Sequence, residues 1–315
     1  MSTRTAFVVG ASGFVGSNTV RALLDAGWMV HTFGPSMRDD QLADVSGAIH
    51  AHEGSVADRE GLEAAMVESG AEVVVSFAAF SSGSVGLARS GESDAEKAID
   101  INVQGLRHTF DAARATGIGR VVWSSSTTLY GPSHLYPDQP IDEGAPYRPQ
   151  LMYGLTKAMG EQLSDFYRDR FGVECVAVRL PLIFGPGLWY QGAAAALLDM
   201  FRAARPGATH ELHGPADALD LMYVTDTAEA LAAMCGHRGA LAGRYNINGF
   251  TTTYPEIARA VERAVPGFEA RFTETPPAVV YPLISTARAE ADLGYAPRFD
   301  LDAAVADYMK QLGKT

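Results

Sequence analysis

The sequence predicts an α/β fold, a doubly wound parallel sheet with a smaller, less regular C-terminal lobe. Three observations carry this. Short apolar runs alternate with segments of helical period through the first 180 residues. Three glycines, Gly10, Gly13 and Gly16, stand between the first apolar run and the first helical segment. Beyond residue 180 the alternation loosens, and Gly and Pro become frequent, as in Gly185-Pro186-Gly187 and Pro206-Gly207. The chain therefore divides, as a sequence, into a sheet domain over 1–180 and a lobe over 181–315 that is partly interwoven with it.

Residues 5–9 are an apolar run of the kind a buried parallel strand needs. Residues 14–26 place Val15, Val20, Leu23 and Leu24 at helical spacing, and Gly27 suits the helix end. Strands follow at 28–33 and, more weakly, at 48–52. A helix is predicted at 59–69 and a fourth strand at 72–79, which reads EVVVSFAA. A long helix over 95–116 is closed by Gly117. A fifth strand at 120–126, a helix at 153–171 and a sixth strand at 173–180 complete the series. Strands separated by helices make βαβ units, hence a parallel sheet covered on both faces. Beyond it, short helices are expected at 193–202 and 254–265.

Bulk properties narrow the function. The 315 residues are 47% hydrophobic and 20% charged, with a net charge of −12. So acidic a chain repels phosphate backbones, which argues against a nucleic-acid partner. Two cysteines, Cys175 and Cys235, make no disulfide framework, and a reducing cytoplasm is the expected location. No stretch approaches the ~18 apolar residues of a membrane span, so no membrane partner is expected. His50-x-His52 lacks further ligands at metal spacing, so no metal site is expected.

The glycine run has a physical reading. A loop between a buried strand and a helix can hold a pyrophosphate, because glycines let the backbone approach it and the helix N-terminus offers N–H groups. Gly10, Ser12, Gly13, Phe14, Val15 and Gly16 are accordingly assigned to a dinucleotide. At the end of the second strand an acid takes the ribose 2′-hydroxyl of NAD, whereas an Arg accommodates the 2′-phosphate of NADP. Eighteen residues after Gly16 the chain has Gly34, with Ser36 and Arg38 close behind. NAD or NADP fits, and the loop leans towards NADP.

A second constellation is Tyr153-Gly-Leu-Thr-Lys157. On a helix these two side chains share a face. A phenol of pKa ~10 is a poor base at neutral pH, and an ammonium beside it favours the phenolate. Such a tyrosine can exchange a proton with a substrate hydroxyl while hydride moves to or from a nicotinamide. Of the twelve tyrosines, Tyr153 alone has a lysine four residues on. The fifth strand ends in Ser124-Ser125-Ser126, hydroxyls that are expensive in a core but useful at the mouth of a sheet. Ser126 is placed to hydrogen-bond the reacting oxygen.

Together these motifs resemble the extended short-chain dehydrogenase/reductase family, of the NAD(P)-dependent epimerase/dehydratase type. Gly10–Gly16, Phe77-Ala78-Ala79, Asn102-Val-Gln-Gly105, Ser124–Ser126 with Tyr130-Gly131, Tyr153 with Lys157, Leu180-Pro181 through Gly187, and Tyr223-Val-Thr-Asp226 match it in order. The resemblance implies a Rossmann-type fold, Tyr153 as general acid/base, Lys157 as its partner and nicotinamide-ribose ligand, and Ser126 as the orienting hydroxyl. It also implies that Ser55, Val56, Phe77, Ala78, Ala79, Asn102, Ser124, Pro181 and Ile183 line or support the cofactor. A homodimer through the helices 95–116 and 153–171 is implied as well.

Departures matter too. Thr127-Thr128 replaces the Asp-Glu pair of sugar-nucleotide dehydratases. Leu219 stands where epimerases carry an Arg that grips a diphosphate, and a buried diphosphate wants Arg forks. A small polyol, sugar acid or hydroxy-ketone is the expected substrate. Ser81, Ser82, Ser126, Thr127, Leu182, Trp189 and Tyr190 are its expected contacts. The expected function is a dehydrogenase/reductase. A sugar or nucleotide-sugar epimerase with retained cofactor, and a non-catalytic NADP sensor, are the alternatives.

Overall fold

The computed structural model describes residues 4–35, 39–136 and 140–314. Among them, seven strands form one sheet, in the spatial order 244–246, 174–180, 120–126, 73–76, 5–9, 29–34, 49–53. The strands are β1 Thr5–Val9, β2 Met29–Gly34, β3 Ile49–Glu53, β4 Val73–Ser76, β5 Arg120–Ser126, β6 Glu174–Leu180 and β10 Arg244–Asn246. Every neighbouring pair is parallel. The strand order reverses between β1 and β4, the switch point where doubly wound sheets bind ligands.

Alternation along the strands serves two cores, because successive side chains leave opposite faces of a strand. Val8, Val75, Val122 and Val178 pack with Val20 and Leu23 of the helix Phe14–Asp25 and Leu231 of the helix Val224–Gly236. Phe7, Val9, Val74, Val121 and Trp123 pack on the other face with Leu62, Phe110 and Tyr167. The helices carrying these three are Arg59–Ser69, Gly105–Thr116 and Met152–Phe171. The last two end on Gly117 (φ 76°) and Gly172 (φ 69°), left-handed positions that glycine occupies without strain.

Residues 95–116 depart from the single regular helix that the spacing predicts. Ala95–Ile99 and Gly105–Thr116 are α-helical, but Asp100–Gln104 between them is π-helical. Such widened turns re-aim a side chain, and here they accompany the placement of Asn102.

The segment after β6 does two things. It returns β10 and the 224–236 helix to the large sheet. It also builds small sheets: β7 (Leu182–Phe184) pairs with β9 (Leu219–Tyr223), which pairs with β11 (Phe250–Thr252). The strands β8 (Thr209–Gly214) and β12 (Glu269–Glu274) form another pair. A third core, with Phe184, Phe201, Tyr223, Ile257 and Tyr308, holds this lobe. Asp226 ties down the C-terminal region by accepting from the backbone N–H groups of Arg298 (3.0 Å) and Phe299 (3.2 Å).

Candidate active site

The glycine loop leaves β1 at the switch point. Gly10 has φ 74°, and its N–H donates to the Phe33 carbonyl at 2.8 Å. A Cβ on Gly10 would lie 3.1 Å from the Phe77 carbonyl carbon and 3.2 Å from the Ala78 nitrogen. One on Gly16 would lie 2.3 Å from the Gly10 carbonyl oxygen. The loop is thus folded against β4's continuation and against its own helix, and only glycine fits. Gly13 caps the 14–25 helix without a side-chain hydrogen bond, and the first turn, which includes Phe14 and Val15, holds no acid. Ser12 lies inside this loop. An uncapped helix N-terminus without carboxylates fits a pyrophosphate.

Gly34 ends β2, paired in register with Glu53 of β3. Ser36 and Arg38 lie outside the described residues. Ser55 forms the turn after β3, its hydroxyl accepting from the Ala57 N–H at 3.2 Å. Val56 is buried, and its carbonyl meets His108 Nδ1 at 2.8 Å. Gly105 makes room for it: a Cβ there would lie 2.5 Å from a Val56 methyl.

Beyond β4, the Phe77 N–H bonds the Val9 carbonyl at 2.9 Å, and Ala78 and Ala79 continue past the sheet edge. Asn102 is 5% exposed. Its Oδ1 accepts from the Phe80 N–H at 2.7 Å, and its Nδ2 donates to Thr156 Oγ1 at 3.0 Å. Thr156 in turn donates to the Tyr153 carbonyl at 2.8 Å. One side chain therefore fixes both the post-β4 loop and the first turns of the 152–171 helix.

Ser126, Tyr153 and Lys157 converge. Ser126 ends β5, and its hydroxyl lies close enough to the Tyr153 phenol to favour its ionisation. Thr128 Oγ1 donates to Ser126 Oγ at 3.0 Å, a partner that the sequence reading missed. Thr127 bonds the Leu180 carbonyl at 3.5 Å. Lys157, 3% exposed, donates to the Ser124 carbonyl at 2.6 Å. Its Nζ sits 5.4 Å from the Tyr153 ring centroid and 5.6 Å from that of Trp123.

Burial pushes the Lys157 ammonium down to about 8, and the Glu161 charge pulls the other way. Burial likewise raises the Tyr153 phenol, with Tyr190 adding to the rise and the Ser126 hydrogen bond opposing it. The lowering of Tyr153 expected from Lys157 is absent: burial dominates both groups, and desolvation disfavours both charges.

Behind this trio lies a buried network that the sequence reading also missed. Glu161 accepts from Ser125 Oγ (2.6 Å), Arg179 Nε (2.9 Å), Arg179 Nη2 (2.6 Å) and the Tyr147 hydroxyl (2.8 Å). Glu161 and Arg179 are both 0% exposed. Burial opposes ionisation of Glu161, yet these donors hold its carboxyl below the usual range. Its spacing from Tyr153 and Lys157, at steps of four, is the signal that marks it.

The loop after β7 closes over the front. Pro181 and Leu182 follow β6, and Ile183 packs against the core beside the 14–25 helix. The Asn18 amide donates to the Pro186 carbonyl at 3.1 Å. Tyr190 sets its ring edge-on to Phe14 (6.4 Å between centroids) and to Trp189 (5.6 Å). The Gln191 N–H bonds the Ser84 carbonyl at 2.7 Å, joining this loop to the one that carries Ser81 and Ser82. Ser81 and Ser82 are exposed. Asp220, next to Leu219, is committed to the fold: it accepts from the Ile284 N–H, Thr251 and Asn248. Among the described residues no group of His, Cys, Asp and Glu could hold a metal ion. No helix there is long and apolar enough to cross a membrane.

The chain is similar to known proteins over most of its length. The family model of the NAD dependent epimerase/dehydratase family matches residues 6–248. A uronate dehydrogenase of Pseudomonas putida is 38% identical over 91 residues, 29% of this chain and 33% of that one. The chain spans about a third of the length of the uronate dehydrogenases it matches. A UDP-glucose 4-epimerase of Mycolicibacterium smegmatis is 28% identical over 270 residues, 82% of each chain. Among solved structures, an L-threonine dehydrogenase from Cupriavidus necator superposes with a TM-score of 0.83 at 28% identity, covering 98% of this chain and 99% of that one. With the Rossmann-type sheet, the glycine loop and this match over most of its length, the chain belongs to the NAD-dependent epimerase/dehydratase family of extended short-chain dehydrogenase/reductase enzymes.

Proposed function

We propose that this enzyme is an NAD(P)-dependent dehydrogenase acting on a secondary alcohol, or the matching ketone, of a small polar substrate of the sugar-acid, polyol or hydroxy-acid class. The convergence of Ser126, Tyr153 and Lys157 at the carboxyl edge of β5 carries the reading. The nicotinamide cofactor, when bound, accepts or donates the hydride. The chain does the rest. The Gly10–Gly16 loop and the helix N-terminus hold the pyrophosphate. Ser126 hydrogen-bonds the substrate oxygen, and Tyr153 takes or returns its proton. Lys157 holds the nicotinamide ribose, and its ammonium compensates the phenolate charge that forms during turnover. Ser81, Ser82, Thr127, Leu182, Trp189 and Tyr190 surround the substrate.

The small-substrate reading is supported by Leu219 in place of a diphosphate-gripping Arg and by the structural commitment of Asp220. Two named relatives, the uronate and L-threonine dehydrogenases, act by name on small acids. Ser36 and Arg38 favour NADP over NAD. Ile99, Leu155 and Phe166 are large apolar side chains exposed on the 95–99 and 152–171 helices, which supports a homodimer across them. The free, buried thiols of Cys175 and Cys235 fit a reducing cytoplasm.

A second reading, epimerisation with retained cofactor, draws on the 82% coverage of the epimerase relative. Absorbance at 340 nm with NAD and NADP and a panel of uronates, polyols and hydroxy acids separates them. A dehydrogenase gives stoichiometric reduced cofactor. An epimerase gives altered sugar and no net absorbance.

A further inference from the structure

We infer that Glu161 is a positioning residue of this site: through its place one helical turn from Lys157, it keeps that lysine protonated. The inference rests on the proposed role of Lys157, but its geometry stands apart from any substrate. Tyr153, Lys157 and Glu161 follow one another at steps of four, so they form a single stripe on the 152–171 helix. The stripe reads phenol, ammonium, carboxylate. The carboxylate is buried at 0% exposure, where an attraction is screened far less than at the surface.

The need for a counter-charge is concrete. Lys157 is 3% exposed, and it donates to a neutral carbonyl, that of Ser124. Burial favours loss of its proton, and a neutral amine gives a phenolate no support. Each element packed around the lysine can be checked for a charge. On its own helix stand Tyr153 and Glu161, with Tyr190 facing Tyr153 from the covering loop. From β5 come the Trp123 ring and the Ser124 carbonyl, both uncharged. Thr156, its neighbour in the chain, is neutral and bonded to the neutral Asn102. The cations Arg179 and Arg244 and the phenols of Tyr130 and Tyr147 face Glu161 rather than Lys157. Glu161 is therefore the acid that acts on Lys157.

The network also explains how a carboxylate can stay charged at such depth. Arg179 gives it two hydrogen bonds, and Ser125 and Tyr147 give one each. Ser125 is the neighbour of both Ser124, whose carbonyl holds the lysine, and Ser126. The same carboxylate thus fixes the end of β5 and the charge of the residue opposite it.

The test reads Lys157 directly and needs no substrate. The chain has only four lysines, Lys97, Lys157, Lys310 and Lys314, so protein labelled with carbon-13 at lysine Cε gives few resonances. Lys157 is identified by the signal lost in Lys157→Met. In Glu161→Gln its titration midpoint should fall by about one pH unit, the size of shift a neighbouring charge produces. In Glu161→Asp, which keeps the charge, it should stay within about 0.3 units of the unsubstituted chain. An unmoved midpoint in Glu161→Gln overturns the inference. Glu161→Gln leaves Arg179 unpaired and can fail to fold, so Glu161→Gln with Arg179→Met, which removes both buried charges, is the second variant. There the midpoint should again fall, and a rise or no change overturns the inference. Because the readout is a lysine titration, it stands or falls independently of whether Tyr153 proves to be the acid/base.

Discussion

Replacing Lys157 by Met should make the folded chain more stable at neutral pH, and the gain should vanish as pH rises. The lysine is 3% exposed, and its ammonium is pushed from 10.5 down to about 8. That 2.5-unit shift corresponds to about 3 kcal/mol of destabilisation, at roughly 1.4 kcal/mol per unit. Removing the amine also strips the Ser124 carbonyl of its donor, which costs about 1–2 kcal/mol. Lys157→Met should therefore gain about 1–2 kcal/mol at pH 7. The sign follows from linkage. Below pH 8 the lysine is protonated in both states, and the fold bears the full cost of burying its charge. Between 8 and 10.5 the unfolded chain binds more protons than the folded one, so the stability of the unsubstituted chain rises with pH. By pH 9.5 about 2 kcal/mol of the difference should be gone, leaving the two proteins equal or the variant weaker. Urea unfolding midpoints at pH 7, 8.5 and 9.5 measure this. A variant that is less stable at pH 7, by an amount that stays constant to pH 9.5, refutes the reasoning.

Two further outcomes follow from the same physics. Gly16→Ala drives a methyl to within 2.3 Å of the Gly10 carbonyl oxygen, so the loop must shift. It should cost about 1–3 kcal/mol of stability and weaken NAD(P) binding tenfold or more, read by thermal melting and tryptophan quenching; unchanged affinity would place the pyrophosphate elsewhere. His31 is held below its ordinary range by burial and then by the charges of His50 and His52, whose rings stack on it at 4.6 and 5.2 Å. A depressed histidine contributes stability above its unfolded pKa of 6.5 that is lost as pH falls through its folded value. Melting temperature should therefore drop from pH 7 to 5, and less steeply in His31→Asn; parallel curves would remove His31 from the account.

The legible parts of this molecule were those written in local sequence. The glycine loop, the Tyr153–Lys157 step and the serines ending β5 each lie within a few residues, and each carries its chemistry in its residue types. The strand β10 is different. It is three residues long, Arg-Tyr-Asn, with no apolar run, and only its pairing with β6 makes it the edge of the large sheet. The π-helical turn at 100–104 was likewise hidden, because the partner of Asn102, the Phe80 N–H that donates to its Oδ1, is a tertiary one. Glu161 carries only its spacing from Tyr153 and Lys157 as a local signal. What distinguishes it is Arg179, eighteen residues on and on a different element. The steps of four from Tyr153 and Lys157 are legible in the segment, but a partner that arrives from another strand is not.

The central claim is that Tyr153 moves the proton while the glycine loop holds the cofactor, and the most direct measurement compares Tyr153→Phe with the unsubstituted enzyme. Turnover would be followed at 340 nm on whichever alcohol of the panel is oxidised, and cofactor affinity by fluorescence quenching. The account predicts a loss of about 100- to 10,000-fold in kcat, the usual worth of a general acid/base, with cofactor affinity changed by less than about threefold. Turnover in Tyr153→Phe equal to that of the unsubstituted enzyme would contradict it.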